Sequence, residues 1–213
     1  MELRIDLHLH TTLSGDSSVR LMDAVDGCRR IGLDGFAMTN HDTLSKIPES
    51  VHSESGLIIL PGVEIEAEGI HICAFDIWKL PDANLSLSET VDDIHDQGGF
   101  AIICHAHSNP GTWVNRSKVE DAGFDLVEVA NARQFPYGIM EVLNSNLAKK
   151  LGRSKTGGSD SHIPQTVGRA YTVLEAEERS TEGVLDALRK GRCRGEGRGI
   201  SLDERFKLSK KRV

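Results

Sequence analysis

Short apolar stretches with strand periodicity alternate with amphipathic helical stretches along almost the whole chain, and this alternation constrains the fold more than any other feature. Leu3 to Leu9 alternates with period two, as a strand does, while Leu21, Ala24, Val25, Cys28 and Ile31 recur at helical spacing. Gly32 closes that helix and Gly35–Met38 begins a second strand. Leu57–Leu60 reads as a buried strand stopped by Pro61-Gly62, and Ile70–Phe75 as another. Ser86 and Glu89 make a capping box for a helix ending at Gly98-Gly99, and Phe100–Cys104 is the clearest buried strand. A strand at Asp125–Val129 precedes a helix from Tyr137 to Leu151 with Met140, Leu143, Leu147 and Leu151 on one face. A strand at Arg169–Leu174 and a helix from Thr181 to Lys190 end the series. The pattern predicts an α/β fold on a mostly parallel sheet, open or closed into a barrel.

The polar residues are distributed by the same rule. The first strand runs into His8 and His10, and the next into Thr39-Asn40-His41-Asp42. Later stretches run into Glu64, carry His71, end at His105, and reach Gly158-Ser159-Asp160-Ser161-His162. In parallel barrels and sheets functional groups collect at the C-terminal ends of strands, so groups distant in sequence converge. Residues two apart on a strand share a face, which lets His8 and His10 serve one site, and likewise Asp160 and His162. Nitrogen and carboxylate donors together suit Zn, Mn or Fe, and a carboxylate such as Glu64 can bridge two ions.

Size and charge narrow the function classes. A chain of 213 residues and 23.3 kDa fits one domain with a real core. The balance of 25 basic against 32 acidic side chains gives a net charge of −7, which argues against gripping a long nucleic acid by its phosphates. No apolar run approaches a membrane span, and Met1-Glu2-Leu3-Arg4 lacks the layout of a secretory signal. A cytoplasmic protein with no membrane contact is therefore expected. Cys28, Cys73, Cys104 and Cys193 show no C-x-x-C pairing and read as reduced structural residues. The stretch 191–213, rich in Arg, Lys and Gly, is expected to be a basic C-terminal arm beyond a domain spanning 1–190.

Taken in order, H-x-H-T-x-x-S-x-D from His8, T-N-H-D-T from Thr39, P-G-V-E-I from Pro61, G-I-H-I from Gly69, I-I-C-H from Ile102 and G-S-D-S-H from Gly158 resemble the polymerase and histidinol phosphatase (PHP) superfamily. The resemblance runs from Asp6 to about Leu188. It implies a single-domain, distorted seven-stranded (β/α) TIM-like barrel holding two or three divalent metal ions. The ligands it implies are His8, His10, Asp16, His41, Glu64, His71, His105, Asp160 and His162. Asn40 replaces a frequent family Asp, and Ala106 follows His105 where Pro is common. His105 is favoured over His107 because it directly follows the apolar strand. Asp42 and His107 are expected to orient ligands rather than bind metal, whereas His52 and His95 read as ordinary helix residues.

The implied chemistry is phosphoester hydrolysis by a hydroxide shared between two metal ions. Arg133 is the best candidate for a phosphate contact, with Arg20, Arg116 and Arg169 as further candidates, because a guanidinium suits bidentate binding of phosphate oxygens. Asp160 or His162 is a candidate for proton transfer to the leaving group. The expected substrates are small phosphoesters: nucleotides, short oligonucleotides, or sugar and amino-alcohol phosphates. Short single-stranded nucleic acid is a second candidate partner. The alternatives are a metal-dependent hydrolase of C–N or C–O bonds, and a non-catalytic subunit of an RNA-processing complex.

Overall fold

The structure is a computed structural model describing residues 1–108 and 116–209, together with the backbone but not the side chains of Glu49, His52 and Ser209. Its centre is one sheet of nine strands: β1 (Glu2–Asp6), β2 (Gly35–Met38), β3 (Ile58–Ala67), β4 (Ile70–Phe75), β5 (Phe100–Ile103), β6 (Leu126–Asn131), β7 (Ser154–Gly158), β8 (Ala170–Glu175) and β9 (Cys193–Gly197). Among the described residues seven α-helices flank them: α1 (Leu21–Ile31), α2 (Glu49–Ser55), α3 (Leu87–Asp96), α4 (Arg116–Asp121), α5 (Tyr137–Leu151), α6 (Thr181–Arg189) and α7 (Leu202–Ser209). The strand order is β7-β6-β5-β4-β3-β2-β1-β8-β9.

The sheet almost closes. Beyond the end of β1, Leu9 bridges Ser161 in parallel, Asp160 N donates to His8 O at 2.8 Å, and His10 N donates to Ser161 O at 3.1 Å. The two outermost segments of the first seven strands thus meet at the end where the polar residues lie. Gly158 is required at this seam, since a Cβ there would sit 2.3 Å from the Cβ of His8.

The expectation of seven strands in a mostly parallel sheet is corrected here. Pairing is parallel only within β1-β2-β3 and β5-β6-β7. β4 is antiparallel to both neighbours because β3 and β4 are joined by a hairpin at Glu68-Gly69, both with positive φ. That hairpin exists because Pro61-Gly62 does not stop β3: Pro61 lies within the strand opposite Met38, and pairing runs on to Ala67. The expected strand at Arg169–Leu174 is β8; the two strands not anticipated are β7 and β9, and β8 pairs antiparallel with both β1 and β9. The stretch expected as a basic arm supplies β9 and α7 and is held to the fold through Arg198 N to Arg169 O and Ile200 N to Ala132 O.

Side chains alternate across the sheet as strand geometry requires. Ala37, Ile58, Leu60, Cys73, Phe75, Phe100, Ile102 and Leu126 join one buried cluster with Leu3, Ile5 and α6, which packs Val184, Ala187 and Leu188. Their strand neighbours face the other way. Phe36, Met38 and Ile59 pack with α1, and Ile72, Ala74, Ala101, Ile103 and Val127 pack with α3, α4 and α5. Burying one such Leu, Ile or Phe contributes about 1.5–3 kcal/mol. The face proposed for α5 is shorter than the periodicity suggested: Leu147 and Ala148 are buried with Asn144, while Met140, Leu143 and Leu151 are half-buried. The capping box of Ser86 with Glu89 forms as expected. Cys28, Cys73 and Cys104 are buried free thiols, and Cys193 is half-buried and free.

Candidate metal centre

His8 and His10 lie just past β1, on either side of Leu9 and its bridge to Ser161. His41 follows β2 and bridges Glu64 in the middle of β3. His71 lies on β4, and His105 follows β5. Asp160 and His162 follow β7 on either side of Ser161. Asp42, His105 and Asp160 adopt positive φ values of 44°, 32° and 49°. Non-glycine residues hold such backbone only where their surroundings fix it, and such positions cluster at functional sites.

Glu64 is the hub. It is buried, and five imidazoles approach it: His71 Nδ1 at 2.8 Å, His105 Nε2 at 3.0 Å, His10 Nε2 and His41 Nδ1 at 3.1 Å, and His8 Nε2 at 3.5 Å. His8 and His10 also bring their Nε2 atoms within 3.1 Å of each other. Asp16 Oδ2 stands 3.0 Å from His162 Nε2 and 3.6 Å from His41 Nε2. Asp160 lies 3.7 Å from His10 and 4.0 Å from His8 and His105. Every residue expected as a ligand is therefore in one contiguous cluster. Its ligand atoms fall into overlapping groups suited to a cation: His10-Asp16-His41-His162, His8-His10-Glu64, His8-His105-Asp160 and Glu64-His71-His105.

The outer hydrogen bonds test whether a cation fits. His8 Nδ1 lies 3.0 Å from Glu128 Oε1, so its N–H points to the carboxylate. His10 Nδ1 donates to Ser14 Oγ at 2.9 Å, and that hydroxyl donates to Asn40 Oδ1. With both outer nitrogens protonated, both inward Nε2 atoms carry lone pairs in the neutral tautomer. These two nitrogens stand 3.1 Å apart beside a buried carboxylate, so positive charge between them is favoured, supplied by a proton on His8 or by a cation that takes its place. The donor set fits a divalent cation.

The electrostatics follow from the same crowding. Burial opposes charge on His8, yet Glu128, Glu64 and Asp160 outweigh it and hold its pKa well above the ordinary value. Burial prevails at His10 and pushes its pKa down to about 4. Burial also opposes ionisation of Glu64, but the charge on His8 and hydrogen bonds with His10, His105 and His71 hold it well below the usual carboxylate range. Asp160 is held low, against its burial, first by Arg133 and then by His8, His162 and His105. Asp16 is drawn down to about 2, against its partial burial, chiefly by His162.

Of the four arginines considered for phosphate, the structure brings only Arg133 to the cluster. Its Nη1 lies 3.2 Å from Asp160 Oδ1, and it lines a cavity of about 380 Å³ with Glu64, His71, His105 and Gln134. Arg20 instead pairs with Asp23 at the start of α1, where the two form a capping box. Arg116 pairs with Glu120 one helical turn on, and lines a separate cavity of about 240 Å³ with His107. Arg169 pairs with Glu204 of α7 and lines another cavity altogether. Proximity in sequence to a site segment did not bring these three side chains into the cavity that Arg133 lines.

The expected orienting residues are also revised. Asp42 is exposed, and it is its amide N–H that donates to Glu64 O, at 3.0 Å. His107 is held by Asn144 Oδ1 at 2.8 Å, and Asn144 in turn donates to Gln134 of the cavity lining. His95 pairs with Asp125 at 2.8 Å, and the side chain of His52 lies outside the described residues. Glu128 was not anticipated. It is buried on β6, bonds His8 Nδ1, and accepts from the amide of His105 at 2.9 Å. Asn131 joins it to Asp160, donating to Glu128 at 2.9 Å and to Asp160 at 3.3 Å. The available signal was a lone acid in Leu126-Val127-Glu128-Val129-Ala130, at the parity of Leu126 in the sheet's interior cluster.

The family model for the PHP domain matches residues 6–111, and a model described as PHP-associated matches residues 145–193. The chain belongs to the PHP family. Uncharacterized protein MJ1587 of Methanocaldococcus jannaschii is 33% identical over 143 residues, which cover 61% of this PHP chain and 82% of that protein. The crystal structure of a two-domain protein from Bacteroides vulgatus, containing a predicted PHP-like metal-dependent phosphoesterase, superimposes with a TM-score of 0.73 at 22% identity, covering 99% of this chain and 70% of that one. The lesion-specific endonuclease PfuEndoQ of Pyrococcus furiosus superimposes with a TM-score of 0.67 at 16% identity, covering 98% of this chain and 66% of that one. At these identities the two solved structures show the fold that this PHP chain shares. Among the described residues no helix is long and apolar enough to cross a membrane.

Proposed function

We propose that this chain is a metal-dependent phosphoester hydrolase acting on small phosphorylated substrates. The observation that carries the reading is the convergence of five imidazoles on buried Glu64, with the inward nitrogens of His8 and His10 facing each other. The overlapping groups around Glu64 support two or three divalent ions, with Zn, Mn or Fe favoured by the imidazole and carboxylate donors. Ions held there would supply an activated water at neutral pH and a sink for negative charge on phosphorus.

The chain's own residues account for the rest. Glu128 and Ser14 fix the rings of His8 and His10 with their inward nitrogens towards the cluster. Arg133 faces the cavity beside Asp160, where its guanidinium meets phosphate oxygens and the charge they gain. Asp160, held ionised by Arg133, is suited to binding a cation or accepting a proton. Asp160 or His162 is the candidate for carrying a proton to the leaving oxygen. A cavity of about 380 Å³ matches a mononucleotide or sugar phosphate better than a polymer.

One observation favours short single-stranded nucleic acid as a second substrate class. Phe135 is exposed next to Arg133 and Gln134, with the Arg205 guanidinium 4.8 Å from its ring centroid, which makes it a surface for stacking a base. PfuEndoQ, which shares the fold, is an endonuclease by name.

The test is hydrolysis by the metal-loaded full chain of a panel holding mononucleotides, dinucleotides, sugar phosphates, amides and carboxylic esters. Phosphoesters should be cleaved, and Glu64→Ala should lose both activity and bound metal by elemental analysis. Cleavage of amides or carboxylic esters alone would replace this reading with C–N or C–O hydrolysis. A dinucleotide cleaved faster than a mononucleotide, with the advantage lost in Phe135→Ala, would select the nucleic-acid reading.

A further inference from the structure

A second cavity of about 380 Å³ shares no lining residue with the cavity at the metal centre. Four arginines line it: Arg4 from β1, Arg30 near the end of α1, Arg169 just before β8 and Arg198 just after β9. No carboxylate is among its lining residues. Among the described residues Arg4, Arg30 and Arg198 form no ion pair, while Arg169 pairs with Glu204. The Nε of Arg169 is buried and finds no hydrogen-bond acceptor in the protein. The remaining wall carries exposed Gln165 and a largely apolar set that includes Val167, buried Leu33 and half-buried Tyr171.

This arrangement is out of keeping with the rest of the molecule. In a chain of net charge −7, four guanidiniums from four elements gather around one concavity with no acid to balance three of them. Their mutual repulsion and the orphaned Nε are both relieved by an anion. Guanidinium groups select planar or tetrahedral oxyanions through paired N–H donors. Tyr171 and Leu33 offer a face to a flat or apolar body next to that charge. The volume lies in the range of about 300–1,000 Å³ typical of small-molecule sites.

We propose that this cavity is a binding site for a nucleotide carrying two phosphates, separate from the metal centre and independent of the hydrolytic reading. The guanidiniums take the phosphates, and Tyr171 with Leu33 takes the base.

The experiment uses the full chain carrying the metal with which it is purified. It is titrated calorimetrically with inorganic pyrophosphate and with the α,β-methylene analogue of ADP, which resists cleavage between its phosphates. The expected result is a site that binds the analogue more tightly than pyrophosphate, and that weakens at least tenfold in Arg30→Gln/Arg198→Gln while persisting in Arg133→Gln. Both substituted side chains are exposed, and melting curves of the double and the single variants verify that the fold is kept. Absence of any binding to the wild type would overturn the proposal. So would binding lost in Arg133→Gln but unchanged in the cavity variant, which assigns the anion to the metal centre. Equal affinity for pyrophosphate and the analogue would overturn the nucleotide assignment. Phosphoester hydrolysis at the metal centre is a different readout, so either reading can fail alone.

Discussion

Glu128 Oε1 stands 3.0 Å from His8 Nδ1, and both side chains are buried. The same carboxylate accepts from the amide of His105 through its other oxygen. One acid thus sets the tautomer of one imidazole and the backbone of a second, at the point where the β6–β7 register shifts between Glu128 and Ala130.

Replacing Glu128 with Gln should therefore weaken metal binding without removing a ligand. The amide can turn its nitrogen towards His8 Nδ1, which then faces a donor instead of an acceptor. Removal of such a partner typically costs about 10–100-fold in metal affinity. Competition against a chelator of known affinity measures it, and unchanged affinity would mean that His8 is oriented by its neighbours alone.

His105 and His107 separate cleanly. His105 Nε2 lies 3.0 Å from Glu64, whereas His107 is bonded to Asn144 on α5. His105→Ala should abolish phosphoester hydrolysis and release metal. His107→Ala should keep the metal and lower the rate by less than about tenfold, or about 1.4 kcal/mol. Elemental analysis and steady-state rates on the two variants check this, and the reverse order would move the metal centre one residue pair along the chain.

Metal loading should release protons from the cluster. His8 is held protonated by Glu128, Glu64 and Asp160 against its burial, and His71 is raised by its hydrogen bond with Glu64 against its burial. His10, pushed down by burial to about 4, is already neutral. An imidazole binds metal only when that nitrogen is free, so the cation displaces protons from His8 and His71 but not from His10. Apparent affinity should rise with pH until those two groups are neutral. Calorimetric loading at about pH 6 and about pH 8, in buffers of different ionisation enthalpy, counts the protons released. No proton release on loading at about pH 6 would contradict the assignment.

The sequence was most legible where chemistry recurs at strand ends. The ligand positions from His8 to His162 form one cluster, because most of them follow the ends of strands that gather at one end of the sheet. Strand direction was less legible. Pro61-Gly62 looked like a stop, but Pro61 tolerates a strand position in parallel pairing with β2, and the hairpin that follows turns β4 round. Side-chain direction was not legible for Arg20, Arg116 and Arg169, because a long side chain next to a site segment can leave in any direction, as Arg20 does towards Asp23 and Arg169 towards Glu204. Glu128 was hidden by having no short motif around it; only its position inside an apolar strand marked it.

Asp6 decides how firmly the seam of the barrel is held. Its Oδ1 accepts from Ser159 N at 2.8 Å and His8 N at 3.3 Å, and its Oδ2 accepts from Gly168 N at 3.0 Å. Three strand-end segments are therefore joined through one fully buried carboxyl, and the segment containing Ser159 continues into Asp160 and His162. Burial lifts the Asp6 pKa to about 6 in spite of those amide donors. Because that value lies above the ordinary 3.8, the folded state holds the proton more tightly than the unfolded chain. Stability from this group is full below the ordinary value and is lost as pH rises through about 6. Asp6→Asn keeps the size but sets an NH₂ group against an amide N–H, leaving at least one buried donor unpaired. The expected loss is about 1–3 kcal/mol in urea unfolding at neutral pH, with an unchanged denaturant slope. The dependence on pH between about 4 and about 6 should flatten in the variant, since the titrating group is gone. Hydrolysis should fall with it, because the Ser159–His162 segment loses its anchor. A variant as stable as the wild type, with the pH dependence intact, would show that the seam is held by the Leu9–Ser161 pairing and not by Asp6.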